Sequence, residues 1–190
     1  MDEDREFLRR CWEGDRAACR DLVRRYQGMV YGLATRALRS KDEAQDAAQE
    51  VFLNVLRSIP FFRGDCTVKT WIYRIAVNEC IARSKRQRRR ERHVRRFDDG
   101  EEAGISLPQA PEATLDHLVS REETRRVRAA IDELPEKYRM AILLRYFDGL
   151  AYEETAEVLQ IPLNTLKVWL FRAKGLLRGK LVESERGSAA

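Results

Sequence analysis

Residues Glu153–Leu177, EETAEVLQIPLNTLKVWLFRAKGLL, have the pattern of a short helix, a tight turn and a longer basic helix. The small Ala156 would let the two helices approach closely, and Ile161 would fill the turn between them. Leu166 and Leu170 lie four residues apart, so they share the inward face of the second helix. This order and spacing are typical of a helix-turn-helix.

The second helix of this motif carries cations on its other side. Pro162 stands at its start, where a missing N–H costs nothing. We expect the cations to face phosphates or base edges in a major groove, and they are Lys167, Arg172, Lys174 and Arg178. An ordinary helical hairpin with a solvated basic face would show the same pattern, so the motif alone leaves both interpretations open.

Composition and periodicity indicate a helical protein of modest size. With 190 residues and 44% apolar side chains, the chain can bury one or two small cores but is short for a large enzyme. Apolar residues recur at spacings of three and four, and the alternation typical of strands is missing. The sequence predicts an all-α fold of two small helical bundles joined by a flexible acidic linker.

Breaks in the helical pattern divide the chain. Pro60 stops one helix, and Gly64 and Asp65 interrupt the pattern before it resumes near Lys69. Residues from about 97 to 117 hold two prolines, two glycines and few aliphatic residues, a composition that does not order itself. We predict domains at 1–96 and 118–190 with a linker at 97–117. Further helical patterns lie at about 17–38, 44–59, 118–134, 136–146, 152–159 and 163–180.

The stretch Thr70–Arg90, TWIYRIAVNECIARSKRQRRR, combines aromatics, one asparagine and many cations on one predicted helix. Unpaired DNA is bound by aromatic faces, by polar groups that contact base edges, and by cations along the backbone. Asn78 is the strongest candidate because an amide can make paired hydrogen bonds to an unstacked base. Burial explains Trp71 as well as base contact does. The predicted single-strand site comprises Arg63, Lys69, Trp71, Tyr73, Arg74 and Asn78.

Positive charge is concentrated in one segment. The formal net charge is +5, yet residues 83–96 hold nine Lys or Arg and one acid, and residues 97–118 hold six acids and no Lys or Arg. Cations that neutralise phosphates release counterions, which gives salt-dependent affinity without sequence preference. We expect this run to position nucleic acid through Arg83, Lys85, Arg86, Arg88 and Arg89.

A polar, acidic face is predicted on the preceding helix. Asp46, Gln49 and Glu50 recur at spacings of three and four, opposite the apolar stripe that contains Val51 and Val55. From periodicity alone, a solvated surface explains this face better than a partner does.

No residue pattern indicates catalysis, a cofactor or a metal site. The four cysteines form no CxxC pair, and only two histidines accompany them, so small buried thiols are the simpler interpretation. Neither a phosphate-binding glycine loop nor a paired nucleophile and base is present. The charged amino terminus and the lack of a long apolar run predict a cytoplasmic protein without membrane insertion.

Three blocks together resemble a known family. They are DEAQDAAQEVFLNVL at 42–56, FRGDCTVKTWIYRIAVNEC at 62–80, and LPEKYRMAILLRYFDGLAYEETAEVLQIPLNTLKVWLFRAK at 134–174. In this order they resemble the bacterial extracytoplasmic function (ECF) sigma factors of the sigma-70 superfamily. That resemblance implies a promoter-specificity subunit with a σ2-like and a σ4-like domain.

The resemblance also implies partners and residue roles. The expected partners are core RNA polymerase, through its β′ clamp helices and β flap, promoter DNA, and an anti-sigma factor. Asp46, Gln49 and Glu50 would contact the clamp helices. The loop and helix that contain Arg63–Lys69 and Asn78 would trap an extruded base of the minus-ten element. The minus-thirty-five element would be contacted by Asn164, Thr165, Lys167, Arg172 and Lys174.

The chain departs from the family pattern at several positions of the motif. Where many relatives have Lys-Ser-Arg, it has Lys167, Val168 and Trp169. Asn164 replaces the commoner glycine, and Ala151 stands where a hydroxyl residue caps the helix, which weakens that cap by about 1 kcal/mol. Three interpretations of Trp169 stay open at this point: burial against a preceding helix, contact with a thymine methyl group, and a protein interface.

Two other functions are compatible with parts of the sequence. A stand-alone helix-turn-helix regulator would bind a palindromic duplex without polymerase, with half-sites about one helical turn apart. An adaptor that contacts polymerase but no DNA would be insensitive to replacement of Arg172 and Lys174.

Overall fold

The computed structural model describes residues 2–38, 40–94 and 121–188 of the chain. The chain divides into two compact units, Met1–Gln109 and Ala110–Ala190. The described residues form helices and no strand, so the predicted all-α class is confirmed. The linker predicted at 97–117 and both predicted domain boundaries lie outside the described residues, and they stay predictions.

The first unit contains four α-helices in its described part. They are α1 (Asp2–Trp12), α2 (Arg16–Ala37), α3 (Lys41–Ser58) and α4 (Val68–Val94), with a 3₁₀ turn at Ile59–Phe61. The predicted helices at about 17–38 and 44–59 match α2 and α3, and α4 begins one residue before Lys69. Pro60 lies in the 3₁₀ turn, as expected from the N–H that it lacks.

Helix α1 is an element that the sequence patterns do not assign. Its acids and arginines leave only a short apolar stripe, in which Leu8 and Cys11 are buried. The Arg25 guanidinium of α2 lies 5.4 Å from the centre of the Phe7 ring. Packing against α2 therefore supplies the stability that an 11-residue helix lacks in isolation.

The core of the first unit forms from one stripe on each of three helices. Asp15 and Ser40 cap α2 and α3 with their side-chain oxygens, which fixes where those helices start. The fully or almost fully buried side chains include Leu22, Val30 and Leu33 of α2, Ala44, Ala47, Val51 and Val55 of α3, and Val68, Ile72, Ala76 and Cys80 of α4. Their burial leaves the opposite faces of α3 and α4 at the surface.

The second unit is a smaller bundle. Its helices are α5 (Arg121–Asp132), α6 (Glu136–Ile142), α7 (Tyr152–Leu159) and α8 (Leu163–Ser188). A π-helical turn, Leu143–Phe147, continues α6, and the Asp148 N–H donates to the Leu143 carbonyl at 3.0 Å. Leu134, Met140, Leu143, Leu144, Leu166 and Ala173 form the buried interior.

Neither a membrane-spanning helix nor a metal-ligand cluster occurs among the described residues. Within them, no helix has both the length and the apolar character needed to cross a bilayer. In the same part of the chain, no group of three or more His, Cys, Asp or Glu side chains converges as a metal site.

Candidate nucleic-acid interface

The helix-turn-helix of the second unit forms as the sequence predicts. Helix α7 ends at Leu159, and the left-handed backbone of its C-cap residue, Gln160 (φ 55°, ψ 43°), reverses the chain. The Ile161 N–H donates to the Ala156 carbonyl at 3.0 Å, which closes the turn. Leu166 and Leu170 are buried, and Ala156 is 5% exposed. These contacts fix the direction of α8 relative to α7.

The start of α7 lacks a side-chain cap. Ala151 occupies the N-cap position and its methyl group cannot accept a hydrogen bond, as the sequence predicts. The Glu154 carboxylate instead accepts from the Ala151 N–H at 2.8 Å, and the Thr155 hydroxyl donates to the Ala151 carbonyl at 2.8 Å. Only one half of a capping box is therefore made.

The predicted minus-thirty-five residues lie on α8. Asn164, Lys167, Arg172 and Lys174 are exposed, and Thr165 is half-buried. Val168 and Phe171 are also exposed, and Phe171 retains 79% of its accessible surface. The outward surface of α8 thus combines cations with two apolar side chains, an arrangement that can contact both phosphates and thymine methyl groups.

Two tyrosines from the preceding helix and turn contact the cations of α8. The Arg172 guanidinium beside the Tyr138 hydroxyl lowers the pKa of Tyr138 below its ordinary value. The Lys174 ammonium lies 5.0 Å from the Tyr146 ring centre, and the Tyr146 hydroxyl raises the pKa of Lys174. Sequence reasoning missed both tyrosines because a side-chain partner some 30 residues away leaves no periodic signal.

Trp169 is half-buried against α6 of the second unit. Its ring lies edge-on to Tyr138, with centroids 6.3 Å apart and an interplanar angle of 79°. The Lys137 ammonium lies 5.0 Å from the Tyr138 ring centre and 5.7 Å from that of Trp169. Of the three interpretations left open by the sequence, packing against a preceding helix is the one the structure shows.

The predicted single-strand site of the first unit is partly assembled. Arg63, Lys69 and Asn78 are exposed, and Arg74 is half-buried. Trp71 is half-buried, and its ring lies 5.0 Å from that of Phe62 at a tilt of 47°. Part of the indole stays accessible, so burial and base contact remain compatible for this residue.

The burial of Tyr73 contradicts its inclusion in the predicted single-strand site. Only 3% of its surface is exposed, because it lies three or four residues from Ala76 and Val77 on the core face of α4. A ring in that position cannot stack on a base. The sequence pattern placed Tyr73 near the site, but it did not distinguish the surface face of α4 from the core face.

The residues of the predicted phosphate-binding run differ in exposure and in their ion pairs. Arg83 Nε lies 2.6 Å from a Glu79 carboxylate oxygen, and the side chains are 19% and 12% exposed. This pair makes Arg83 a poor phosphate ligand, which corrects its inclusion in the run. Arg86 contacts the same carboxylate at 3.3 Å but is largely exposed, as are Lys85 and Arg89, and Arg88 is half-buried.

The acidic face of α3 lies where the sequence places it. Asp46 and Gln49 are exposed and Glu50 is half-buried. Arg57 Nη1 lies 3.3 Å from a Glu50 carboxylate oxygen, and both side chains are substantially exposed, so the ion pair is weak and exchangeable. Leu53, seven residues after Asp46, adds an exposed apolar side chain to the same face.

Comparisons with known proteins match both units. The Sigma-70 region 2 family matches residues 22–90, and the Sigma-70 region 4 family matches residues 124–177. The chain is 36% identical over 180 residues to the RNA polymerase sigma-H factor of Pseudomonas aeruginosa, covering 92% of this chain and 91% of that one. It is 36% identical over 187 residues to the ECF RNA polymerase sigma-E factor of Escherichia coli strain K12, covering 94% of each.

The chain belongs to the ECF sigma factors of the sigma-70 family. The resemblance seen in the three sequence blocks is thereby confirmed, as is the expected function class, an RNA polymerase sigma factor. The region 2 match covers most of α2, all of α3 and most of α4, including the acidic face and Asn78. The region 4 match covers the helix-turn-helix and its tyrosine contacts.

Solved structures agree with the fold of this sigma factor. CnrH in complex with the cytosolic domain of CnrY superposes with a TM-score of 0.65 at 20% identity, covering 95% of this chain and 97% of that one. RpoE in complex with the anti-sigma factor NepR from Bartonella quintana gives 0.63 at 22% identity, covering 85% and 95%.

Proposed function

We propose that this sigma factor binds core RNA polymerase and directs it to promoters with two separated elements. The first unit would capture unpaired bases of the minus-ten element, and the second would bind the minus-thirty-five duplex. The single observation that carries the proposal is the near full-length match to RNA polymerase sigma factors. The exposed Asn78 and the exposed cations of α8 supply a suitable surface on each unit.

Polymerase binding is assigned to the acidic face of α3. Asp46, Gln49 and Glu50 would offer two carboxylates and one amide to the coiled coil of the β′ clamp helices. The second unit would contact the β flap. Leu53, three residues after Glu50, adds exposed apolar area at the carboxyl-terminal end of this patch, from which a partner would exclude water. The Glu50–Arg57 pair does not prevent docking, because an exposed pair contributes only about 0–1 kcal/mol.

Base capture is assigned to the loop and first half of α4. The Asn78 amide can both donate and accept, which suits the edge of an extruded base. Arg63 and Lys69, which lie 15 and 9 residues before it, are exposed and would neutralise flanking phosphates. Lys85, Arg86 and Arg89 would extend this contact along the backbone without reading sequence.

Catalysis would belong to the polymerase, and the sigma factor would work in the cytoplasm where the polymerase is. The sigma factor would contribute through differential binding. Because its first unit would bind unpaired bases, it would stabilise the open promoter relative to the closed one.

Control by an anti-sigma factor is part of the proposal. One solved neighbour is RpoE in complex with the anti-sigma factor NepR, and another is CnrH in complex with the cytosolic domain of CnrY. In this chain the exposed Val168 and Phe171 of α8 offer apolar area that an inhibitor could cover while blocking DNA.

Run-off transcription with purified core polymerase and a promoter library tests the proposal. We expect initiation above core alone, and co-elution of the chain with core. The double variant Asp46→Ala, Glu50→Ala should lose co-elution, whereas Asp21→Ala, an exposed acid on α2, should not. A chain that neither co-elutes with core nor directs initiation contradicts the proposal, and tight binding to a palindromic duplex without polymerase would favour the stand-alone regulator.

A further inference from the structure

Two cysteines lie in contact at the turn between the first two helices. Cys11 is in the last turn of α1 and is 5% exposed, whereas Cys19 is in the first turn of α2 and is half-buried. The Cys19 thiol donates to the Cys11 carbonyl oxygen, with a sulfur–oxygen distance of 3.5 Å. The Cys19 sulfur therefore contacts the backbone of Cys11 itself, at an atom that is two bonds from its Cα.

The turn between α1 and α2 holds these two residues in place. Gly14 has a φ of 90°, and its N–H donates to the Cys11 carbonyl at 3.3 Å. The Asp15 N–H donates to the Arg10 carbonyl at 3.0 Å, which completes a Schellman motif at the end of α1. The Arg10 guanidinium lies 2.6 Å from the Asp15 carboxylate, and the same carboxylate caps α2. Asp15 thus joins the end of one helix to the start of the next.

The position of the two side chains suits a disulfide bond. Cys11 shares the buried stripe of α1 with Leu8, so its thiol lies on the face that packs against the bundle. The Cys19 sulfur already reaches the Cys11 backbone, and it can turn toward the Cys11 sulfur by rotation about its own Cα–Cβ bond. That rotation breaks only a weak S–H···O hydrogen bond. The two sulfurs can therefore meet without movement of either helix.

The other two cysteines differ from this pair. Cys66 precedes α4 by two residues, and Cys80 lies twelve residues after Val68, the first residue of that helix. At a rise of 1.5 Å per residue, Cys80 is about 18 Å along the helix axis from Val68. A disulfide requires Cα atoms less than about 7 Å apart, so Cys66 and Cys80 cannot pair with each other. They provide an internal control for Cys11 and Cys19.

We propose that Cys11 and Cys19 form a reversible redox site, which hydrogen peroxide converts to a disulfide bond that ties α1 covalently to α2. In reducing compartments, protein disulfides are usually transient and serve redox sensing or catalysis. The site needs neither polymerase nor DNA, so the proposal is independent of the proposed function.

The two cysteines take different parts in the oxidation. Cys19 is the more accessible thiol, so its thiolate attacks the peroxide, gains one oxygen as a sulfenic acid and releases hydroxide. The Cys11 thiolate then attacks the Cys19 sulfur, the sulfur–oxygen bond breaks, and a second hydroxide leaves. The two hydroxides take up the two thiol protons, so the products are one disulfide and two water molecules. Two electrons pass from the sulfurs to the peroxide, and a thiol reductant reverses the change.

Contact between the two residues favours the second step. Burial raises the pKa of Cys11, which lowers the fraction of its thiolate. The reacting groups are held together by the fold, however, and such an arrangement greatly accelerates a reaction over its counterpart between separate molecules. Cys11 is therefore shielded from reagents in solution and is still able to attack its neighbour.

Peptide mapping without reduction tests the pairing. The folded chain is treated with hydrogen peroxide at low protein concentration, free thiols are alkylated in urea, and the chain is digested with trypsin. Cleavage after Arg10, Arg16 and Arg20 separates CWEGDR, which holds Cys11, from AACR, which holds Cys19. We expect these two peptides to be joined, with a mass two hydrogens below their sum. Dithiothreitol should separate them.

Hydrogen–deuterium exchange measures what the bond does to the fold. An 11-residue helix is marginal in isolation, so the amides of α1 exchange through its local opening from the bundle. A disulfide across the turn opposes that opening, and exchange in α1 should slow by at least about tenfold after oxidation. Exchange in α8 should stay unchanged, because the second unit holds no cysteine.

Three variants control the design. Cys19→Ser changes a half-buried side chain and should abolish both the joined peptides and the slower exchange. Cys11→Ala keeps a small apolar side chain at the buried position and should have the same effect. Cys66→Ser makes the matched change outside the site and should keep both responses. Circular dichroism melts of each variant establish that the fold is retained.

The proposal has several outcomes that would overturn it. They are the absence of joined peptides after oxidation of the folded chain, a different pair of cysteines, and a bond between two chains. Formation of the Cys11–Cys19 bond only in urea would also overturn it, because the folded turn would then not bring the residues together. Unchanged exchange in α1 would show that the bond does not tie the helices. The proposed function is tested separately, by co-elution with core polymerase and by run-off transcription.

Discussion

The Tyr138 ring stands edge-on to the Trp169 ring, which joins the recognition helix α8 to α6 through two side chains 31 positions apart. Lys137 lies close to both ring centres. Trp169 therefore stabilises the unit from a position where the family pattern has a cation.

Replacement of Trp169 tests this structural role. Trp169→Ala removes a half-buried aromatic and its edge-on contact, so we expect a loss of about 2 kcal/mol in the free energy of unfolding, below the 3–5 kcal/mol typical of a fully buried ring. Trp169→Phe should recover at least half of it. Chemical unfolding followed by circular dichroism measures both. A negligible loss in Trp169→Ala would mean that the ring contact contributes nothing to stability.

Gln160 holds an unfavourable backbone conformation in the turn of the helix-turn-helix. Its φ of 55° lies in the left-handed region, which disfavours side chains with a β-carbon. Gln160→Gly should stabilise the chain by roughly 0.5 kcal/mol, since the relief of strain exceeds the added entropy of the unfolded chain. Gln160→Val should destabilise it by more than 1 kcal/mol. Equal stability of the two variants in urea unfolding would contradict this account.

Asn78 should matter for promoter opening and not for polymerase binding. Asn78→Ala removes an exposed amide, so the fold should be unaffected, while loss of paired hydrogen bonds to a base should weaken the open complex about 10- to 100-fold. Permanganate reactivity of unpaired thymines measures opening, and co-elution measures polymerase binding. Gln27→Ala, an exposed amide on α2, is the matched control. Normal opening by Asn78→Ala would remove this residue from the site.

Cys11 should react more slowly than the half-buried Cys66. Burial, followed by its neighbour Cys19, raises the pKa of Cys11 to about 12, so the neutral thiol is favoured in the folded state. The associated stability is present below the ordinary thiol pKa and is lost as the pH rises toward 12. At pH 8, iodoacetamide should modify Cys11 at least about tenfold more slowly than the half-buried Cys66. Peptide mass mapping measures the modification rate of each cysteine. Urea should remove the difference between the two rates, because it unfolds the chain. Equal rates for Cys11 and Cys66 in the folded protein would contradict the prediction.

Apolar spacing separated the buried face from the exposed face in some helices and failed to do so in α4. Apolar spacing correctly placed Leu166 and Leu170 inward and left Asp46 and Gln49 outward, because each of these stripes lies on an amphipathic helix with a clear boundary. Helix α4 lacks such a boundary, since its aromatic and aliphatic residues extend around it. Tyr73 was therefore predicted at the surface and lies in the core.

By itself, the sequence determined the all-α class, the helix-turn-helix and the family, because these depend on local spacing and on the order of motifs along one chain. Only the tertiary structure decided which cations have side-chain partners: Arg83 pairs with Glu79, and Lys174 lies beside the Tyr146 ring. It also decided where Trp169 packs. The physical reason is that a side chain's partners are set by helix packing across tens of residues, and no local period records that distance.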